Sequence, residues 1–473
     1  MKIIRWRVRL LSALFLAAFG LMSVYFVYSA SFYGGRWVGS PHNPRIRNGK
    51  RAVAMGTVSD RDGVLLAWTD DRQARHYNRS ASVRRATSQV VGDSEGRVST
   101  GVDTFHAQYL LGFKAGFFER LSDALAGQVQ RGDDLRLTIS SALCRSISER
   151  FPEDRRGAVV VMNWKTGEIL AMVSMPQFDP EDLTLALEDE DAGALINRCT
   201  QGLYPPGSTM KIVTLAAALS ALPDARDFSF DCTGYYPVGS YSVTEGRGHG
   251  RVGLGEAFAA SCNTAFAALS QELGYEGMGT TAERLGFNEN FMYDDLIVYN
   301  SRYPIDGLSP EDLAWSAIGQ GRVLVTPMHM AMIASAIASG GTLPEPRLLS
   351  EIRTPQGGRR PLPAGGKSAL ALPREVAEEV ERDMLRCVSA GTGRRAAISG
   401  YPVAGKTGTA EASDDKSVLS HAWFVGYVAR ESAPYAVAVL IEHGGSGGDV
   451  AAPLARRALQ KAIDLGLAGP EGD

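Results

Sequence analysis

The sequence predicts an α+β chain in which an antiparallel sheet packed with helices follows an extended N-terminal accessory module and one transmembrane helix. Three observations predict it. After about residue 135, strand-like and helical runs segregate instead of alternating strictly. A length of 473 residues, at roughly 150 residues per domain, allows two or three domains and one sizeable core. At the start, Lys2, Arg5, Arg7 and Arg9 precede an uncharged, mostly apolar run from Leu10 through Gly35.

About 20 apolar residues span the ~30 Å hydrocarbon core of a bilayer, and basic flanks stay cytoplasmic. Residues 1–9 then read as a cytoplasmic tail, 10–30 as a retained anchor, and everything after about residue 35 as outside. The alternative is a cleaved secretory peptide, for which Ser29-Ala30-Ser31 offers small residues, although the run exceeds the usual ~7–15 residues of a cleavable segment. Both readings export the rest of the chain.

Residues 31–134 are rich in Arg, Asp, Ser and Gly, with short strand-like runs such as Gly63 to Ala67, and read as an accessory module. Gly132-Asp133-Asp134 is a turn, Leu135 to Ile139 alternates as a strand, and Ser141 to Arg150 is helical, which places a boundary near residue 135. The main domain then covers 135–466, with a tail at 467–473. Two β-rich runs, Ala158 to Met162 and Ile169 to Val173, flank the polar turn Asn163-Trp164-Lys165-Thr166-Gly167 and predict a hairpin. Tyr204-Pro205-Pro206-Gly207 halts the chain, and Ser208 opens a helix through Leu219 that is apolar all round and must be buried. Helices near 254–269, 327–338, 374–388 and 453–465 and strands at 423–428 and 435–441 complete the domain.

Composition excludes several classes. Lys plus Arg total 49 against 52 Asp plus Glu, a net charge of -3, so nothing suggests a nucleic-acid binder. Cys144, Cys199, Cys232, Cys262 and Cys387 are scattered, with no Cys-x-x-Cys pair, and read as buried small hydrophobes, one disulfide remaining open. No metal-ligand spacing occurs among the seven histidines, and neither a metal nor a cofactor is expected.

Three polar clusters carry the chemistry. In Ser208-Thr209-Met210-Lys211, a lysine three residues after a serine shares its helix face, one turn away, and can take the hydroxyl proton once desolvation disfavours its ammonium form. Ser261-Cys262-Asn263 lies 261 − 208 = 53 residues downstream; an alternating or turn-like backbone there would aim Ser261 and Asn263 one way and Cys262 into the protein. Ser261 would relay a proton and Asn263 would hold Lys211 or a substrate amide. Lys406-Thr407-Gly408-Thr409 follows a strand-like Val403-Ala404-Gly405; a strand edge can pair with an extended peptide, Gly408 allows close approach, and Lys406 offers a charge to a carboxylate.

Each cluster has a plainer explanation. Ser208 can be a helix cap, Ser261-Cys262-Asn263 can cap a helix from Thr264, and Lys406-Thr407-Gly408 can be a hairpin turn. Decoys exist too, at Ser413-Asp414-Asp415-Lys416 and at Lys165-Thr166-Gly167. The order of the three clusters, and at Ser208 the Pro-Pro-Gly approach and the buried helix, distinguish them.

That ordered set resembles the serine acyl-transfer motifs of penicillin-binding proteins and serine β-lactamases. Longer stretches extend the resemblance over residues 135 to 465: Asn197-Arg198 before Tyr204-Pro205-Pro206-Gly207, His249-Gly250, Gly319-Gln320-Gly321 with Thr326-Pro327, Gly391-Thr392-Gly393, Ala410-Glu411, and Trp423-Phe424-Val425-Gly426-Tyr427. Gly56 to Gly63 resembles the N-terminal module of class B members, with Met55 where that pattern usually has Arg. Roughly 100 residues of module are too few for the glycosyltransferase domain of class A members.

The resemblance implies a penicillin-binding, β-lactamase-like transpeptidase domain and a D,D-transpeptidase that cross-links peptidoglycan stem peptides ending in D-Ala-D-Ala. It implies Ser208, Lys211, Ser261, Asn263 and Lys406 as catalytic residues, and Thr407, Gly408 and Thr409 as substrate-binding residues. It also implies inhibition by β-lactam antibiotics and a membrane glycosyltransferase as partner. Two other readings stand beside it. One is a carboxypeptidase or β-lactamase, against which no Glu-x-x-Leu-Asn motif lies between Asn263 and Lys406. The other is a catalytically silent scaffold or β-lactam sensor, against which Ser208 and Lys211 are intact.

Overall fold

The computed structural model describes residues 2–38, 53–114, 130–291, 293–307, 309–363, 368–413, 415 and 417–468. Parts of the expected accessory module (39–52 and 115–129), most of the expected tail (469–473), and Asp414 and Lys416 of the second Ser-x-x-Lys lie outside the described residues.

Helix α1 (Lys2–Val38) runs beyond both limits of the expected anchor. Its stretch from Trp6 to Ser29 is long and apolar enough to cross a membrane by length and composition, and its large side chains, Phe15 and Leu16 among them, are exposed. A core helix would bury them.

The first six strands are β1 (Val58–Ser59), β2 (Leu65–Thr69), β3 (Arg75–Tyr77), β4 (Asp134–Leu137), β5 (Gly157–Asn163) and β6 (Ile169–Met175). Then come β7 (Ser229–Cys232), β8 (Tyr235–Val238), β9 (Tyr241–Thr244) and β10 (Gly250–Gly253). The C-terminal part adds β11 (Thr342–Leu343), β12 (Leu349–Arg353), β13 (Arg359–Arg360), β14 (Ala369–Leu370), β15 (Val403–Ala410), β16 (His421–Val428) and β17 (Tyr435–Ile441). The main helices after α1 are α2 (Ser141–Ser148), α3 (Lys211–Ala221), α4 (Leu254–Ala260), α5 (Asn263–Arg284), α6 (Pro310–Ala317), α7 (Pro327–Ala338), α8 (Arg374–Ser389) and α9 (Ala452–Asp464).

The central sheet is antiparallel, in the order β15-β16-β17-β5-β6. Every residue of β5, β16 and β17 is buried, so both faces of these strands are covered. That is why Ala158 to Met162 is continuously apolar rather than alternating. Helix α7 packs against β5, β16 and β17, α9 against β16 and β17, and α2 against β6. The predicted hairpin is β5 to β6, and its Lys165-Thr166-Gly167 is turn chemistry: Asn163 Oδ1 accepts the Lys165 and Thr166 N–H groups.

A second sheet, in the order β13-β12-β4-β1-β2-β3, joins distant parts of the chain. Strand β4, where the expected boundary falls, pairs in parallel with β1 on one side and antiparallel with β12 on the other.

The predicted helix over 254–269 is broken. Helix α4 ends at Ala260, Ser261 adopts a left-handed φ of 63°, and α5 starts at Asn263 with Cys262 as its N-cap. The run of Ala and Phe around the motif has helical character on both sides, which conceals the break in the sequence. A side chain in the left-handed region costs about 1–2 kcal/mol, so its surroundings must hold Ser261 there. The third cluster likewise lies inside β15 rather than after it.

Candidate active site

Ser208 sits in a single 3-10 turn, Gly207–Met210, that feeds directly into α3. The turn is held from three sides. Gly207 N–H donates to Gly319 O at 2.9 Å, Trp423 Nε1 donates to Pro205 O at 3.0 Å, and Thr209 Oγ1 donates to Pro206 O at 2.7 Å. Gly207 (φ +54°) and Gly319 (φ +77°) leave no room for a Cβ: one on Gly319 would lie 2.1 Å from Gly207 O, and one on Gly207 2.7 Å from Thr409 O. Upstream, Arg198 Nε donates to Glu442 Oε1 at 2.7 Å and Tyr204 Oη to the same oxygen at 2.6 Å, which anchors the approach to the Pro-Pro-Gly bend. The Ser208 side chain has no hydrogen-bond partner among the described residues and lines an open cleft.

Behind Ser208 lie two fully buried lysines. Lys211 Nζ donates to Ser261 O and to Asn263 Oδ1, both at 2.7 Å, with Ser261 Oγ at 3.4 Å. Lys406 Nζ donates to Ser261 Oγ at 2.9 Å and to Thr407 O at 3.1 Å. Each ammonium position also faces an aromatic ring, Lys211 over Phe266 at 5.4 Å and Lys406 over Phe258 at 5.6 Å. Burial, and then the charge of Lys406, push Lys211 well below the ordinary lysine value of 10.5. Burial lowers Lys406 too. Two ammonium ions this close repel, and one deprotonates first. As a neutral amine, Lys211 donates its two hydrogens to Ser261 O and Asn263 Oδ1, which leaves its lone pair free for a serine proton.

The left-handed turn at Ser261 lets one short loop serve both lysines. It turns the Ser261 carbonyl toward Lys211 while its hydroxyl accepts from Lys406. Beneath it, Glu245 Oε2 accepts the Asn263 N–H at 3.2 Å, and Oε1 accepts the Thr264 hydroxyl at 2.6 Å. A carboxylate at the start of α5 also complements the helix dipole.

Strand β15 forms the opposite wall. Among the described strands it pairs only with β16, which leaves its outer edge unpaired within the sheet. Thr407 and Thr409 line the cleft, and Thr407 Oγ1 lies 2.6 Å from Thr392 Oγ1. Lys406 and Gly408 do not line it. A Cβ on Gly408 would meet Pro206 O at 2.9 Å and Trp423 Cβ at 3.0 Å, so this glycine serves packing against the Ser208 turn. The cavity measures about 720 Å³, and Ser208, Ser261 and Asn263 line it with Trp315, Gln320, Arg394, Arg395 and Glu411. A space of this size suits a short peptide or a drug-sized molecule.

The structure thus gathers Ser208, Lys211, Ser261, Asn263 and Lys406 from three separate segments. Sequence reasoning overlooked Glu245, Arg394 and Arg395. The two arginines follow Gly391-Thr392-Gly393 directly, and that Gly-rich turn beside a strand was the signal available. Glu245, in a polar loop, carried none.

Known proteins resemble this chain over most of its length. The family described as the penicillin binding protein transpeptidase domain matches residues 157–460. The peptidoglycan D,D-transpeptidase PbpA of Mycolicibacterium smegmatis is 30% identical over 466 residues, covering 90% of this chain and 92% of that protein. Penicillin-binding protein A of M. tuberculosis, solved as a ceftriaxone acyl-enzyme, superposes with a TM-score of 0.80 at 29% identity, over 88% of this chain and 99% of that one. The D,D-transpeptidase domain of a peptidoglycan glycosyltransferase from Eggerthella lenta does so at 0.76 and 31%, over 88% and 99%.

Proposed function

The chain belongs to the penicillin-binding protein transpeptidase family, and on that premise we propose how its residues divide the work. It is a serine D,D-transpeptidase that cross-links peptidoglycan stem peptides through an acyl-enzyme, and β-lactams inhibit it covalently.

Ser208 Oγ attacks the carbonyl of the penultimate D-Ala, and its proton passes to the lone pair of Lys211. The observation that carries this assignment is Lys211 itself: buried, with both remaining hydrogens engaged at 2.7 Å. The tetrahedral oxyanion takes hydrogen bonds from the backbone N–H groups of Ser208 and Thr409, each such donor being worth about 10²–10³ in rate. Ser261 returns a proton to the departing D-Ala, helped by the Lys406 charge 2.9 Å behind its hydroxyl. The Thr407 and Thr409 hydroxyls receive the terminal carboxylate, and Lys406 supports them from beneath the surface. Asn263 holds Lys211 and offers its amide to the donor peptide, which lies along the free edge of β15.

An amine from a neighbouring strand then takes the acyl group. The N-terminal helix anchors the protein in the membrane, with its basic tail in the cytoplasm and the cleft outside. A membrane glycosyltransferase that supplies new strands is the partner this reading calls for. A hydrolase would use the same acylation, so the deciding test is nitrocefin turnover. Release that stops after about one equivalent supports the transpeptidase, and sustained turnover favours the hydrolase.

A further inference from the structure

A groove of about 510 Å³ opens between α2 and α9, and five basic side chains line it: Arg150, Arg395, Arg456, Arg457 and Lys461. We propose that this groove binds the carboxylates of a second peptidoglycan stem peptide, the one whose amine takes the acyl group from Ser208. The inference rests on the transpeptidase reading and deepens it, by giving the acceptor a place to dock.

Charge is the first support. Arg456, Arg457, Lys461 and Asp464 recur at three- and four-residue intervals and share one face of α9. The opposite face, with Leu454 and Leu459, is buried, and α9 packs against β16 and β17, so the basic face is turned outward. Asp464 is the one acid among the described residues that line the groove, and Gln460 Nε2 donates to it at 2.9 Å. Arg150, Arg456, Arg457 and Lys461 have no ion-pair partner among the described residues. Elsewhere in this protein a solvated helix face carries both signs. On α8, Arg374 pairs with Glu378 at 2.8 Å, Arg382 with Glu379 at 2.7 Å and Arg386 with Glu256 at 3.0 Å. Like charges four residues apart, as at Arg457 and Lys461, destabilise a helix, and an anion between them removes that cost. Arg150 is also preset, since its Nη1 donates to Ser146 Oγ at 2.9 Å and to Ser146 O at 3.1 Å.

Position is the second support. Arg395 lines both this groove and the Ser208 cleft, so the two cavities meet at its side chain. It lies in the 3-10 turn Arg394–Ala396, and its Nη2 pairs with Asp449 Oδ1 at 3.2 Å. Thr392 Oγ1, three residues earlier, lies 2.6 Å from Thr407 Oγ1, one of the hydroxyls assigned to the donor's terminal carboxylate. The acceptor amine must enter where the amine of the departing D-Ala left, since transfer is the acylation step run backwards with a different amine. The groove therefore begins on the side from which the acceptor arrives. There the amine forms the new C–N bond, the ester C–Oγ bond breaks, and an amine proton returns to Ser208 Oγ through Lys211. A stem peptide brings carboxylates with it, and arginines hold such groups through paired N–H donors.

The test uses the full chain in detergent, a thioester analogue of the donor peptide, and two acceptors: a stem-type tetrapeptide with an amine and free carboxylates, and the same peptide with those carboxylates amidated. Wild type should transfer to both, with an acceptor KM about tenfold lower for the free acid, and added salt should raise that KM alone. The joint variant Arg456→Gln, Arg457→Gln, Lys461→Gln should raise the KM for the free acid about tenfold, with kcat and the KM for the amidated peptide held, so that the preference collapses. The wild-type comparison and its salt dependence stand even if the variant fails to fold. Equal KM for the two acceptors in wild type overturns the groove and leaves the transpeptidase reading intact, whereas transfer to neither overturns both. A preference retained in the folded variant also overturns the groove, and loss of inorganic polyphosphate binding alongside it would reassign these residues to a phosphate polymer.

Discussion

Replacing Asn263 by Asp changes one atom of the site and tests the role of Lys211. The Asn263 Oδ1 position lies 2.7 Å from Lys211 Nζ, so the variant sets a carboxylate directly against the amine. An opposite charge at that range raises a lysine pKa by about 1–3 units, at 1.36 kcal/mol each. The Glu245 carboxylate, 3.2 Å from the residue 263 N–H, repels the new charge and draws the shift toward the lower end. Burial holds Lys211 well below 10.5, and the free amine is the active form, so wild-type acylation rises as pH rises through the lowered value. In Asn263→Asp that rise moves upward, and at any pH below it the rate falls about 10–1000-fold, the loss of free amine implied by the shift. The assay is the second-order rate of labelling by a fluorescent penicillin as a function of pH. Recovery at high pH is the signature. Asn263→Ala, which removes an acceptor without adding charge, should slow labelling without moving the rise upward. An Asn263→Asp profile equal to wild type, or displaced downward, would refute Lys211 as the base.

Two further expectations rest on packing and burial. Gly319→Ala places a Cβ 2.1 Å from Gly207 O at a φ of +77°, so it should lower stability by at least about 1–3 kcal/mol and slow labelling more than tenfold; Gly321→Ala, with φ +69° but nothing nearer than 3.8 Å, should keep most of the labelling rate. Melting curves alongside labelling rates check both variants. Burial pushes His329 down to about 4, and its Nε2 donates to Leu285 O at 2.7 Å. In the unfolded chain it protonates near 6.5, so the stability it contributes is complete above that pH and is lost as pH falls toward about 4, up to about 3 kcal/mol. Urea unfolding of His329→Gln should show a shallower loss over that interval, with His106, likewise lowered to about 4, acting in the same direction and Asp295, raised to about 6, against it. An unchanged slope would count against the assignment.

Local patterns in this sequence proved legible where one element carries them. Ser208 and Lys211 share a face because they are three residues apart at the start of a helix, and the buried strands β5 and β17 follow from unbroken apolar runs. Features that depend on distant partners were not legible. Lys406 reads as a charge offered to a carboxylate, yet it is fully buried, and Ser261, which lies 145 residues earlier in the chain, accepts its hydrogen bond. The break at Ser261 hides inside a helix-forming run, since two lysines and Glu245 from elsewhere in the chain give the loop its side-chain partners. Arg394 and Arg395 gain meaning only once the fold sets the loop after α8 against the cleft, which they line.

The central claim is that Ser208 is the nucleophile. Intact-mass spectrometry after exposure to penicillin, with peptide mapping of the adduct, tests it most directly. Wild type should gain a single acyl adduct on the peptide that contains Ser208, while Ser208→Ala, folded with an unchanged melting curve, should gain none. Equal adducts on both proteins, or an adduct mapped to Ser261, would contradict the account.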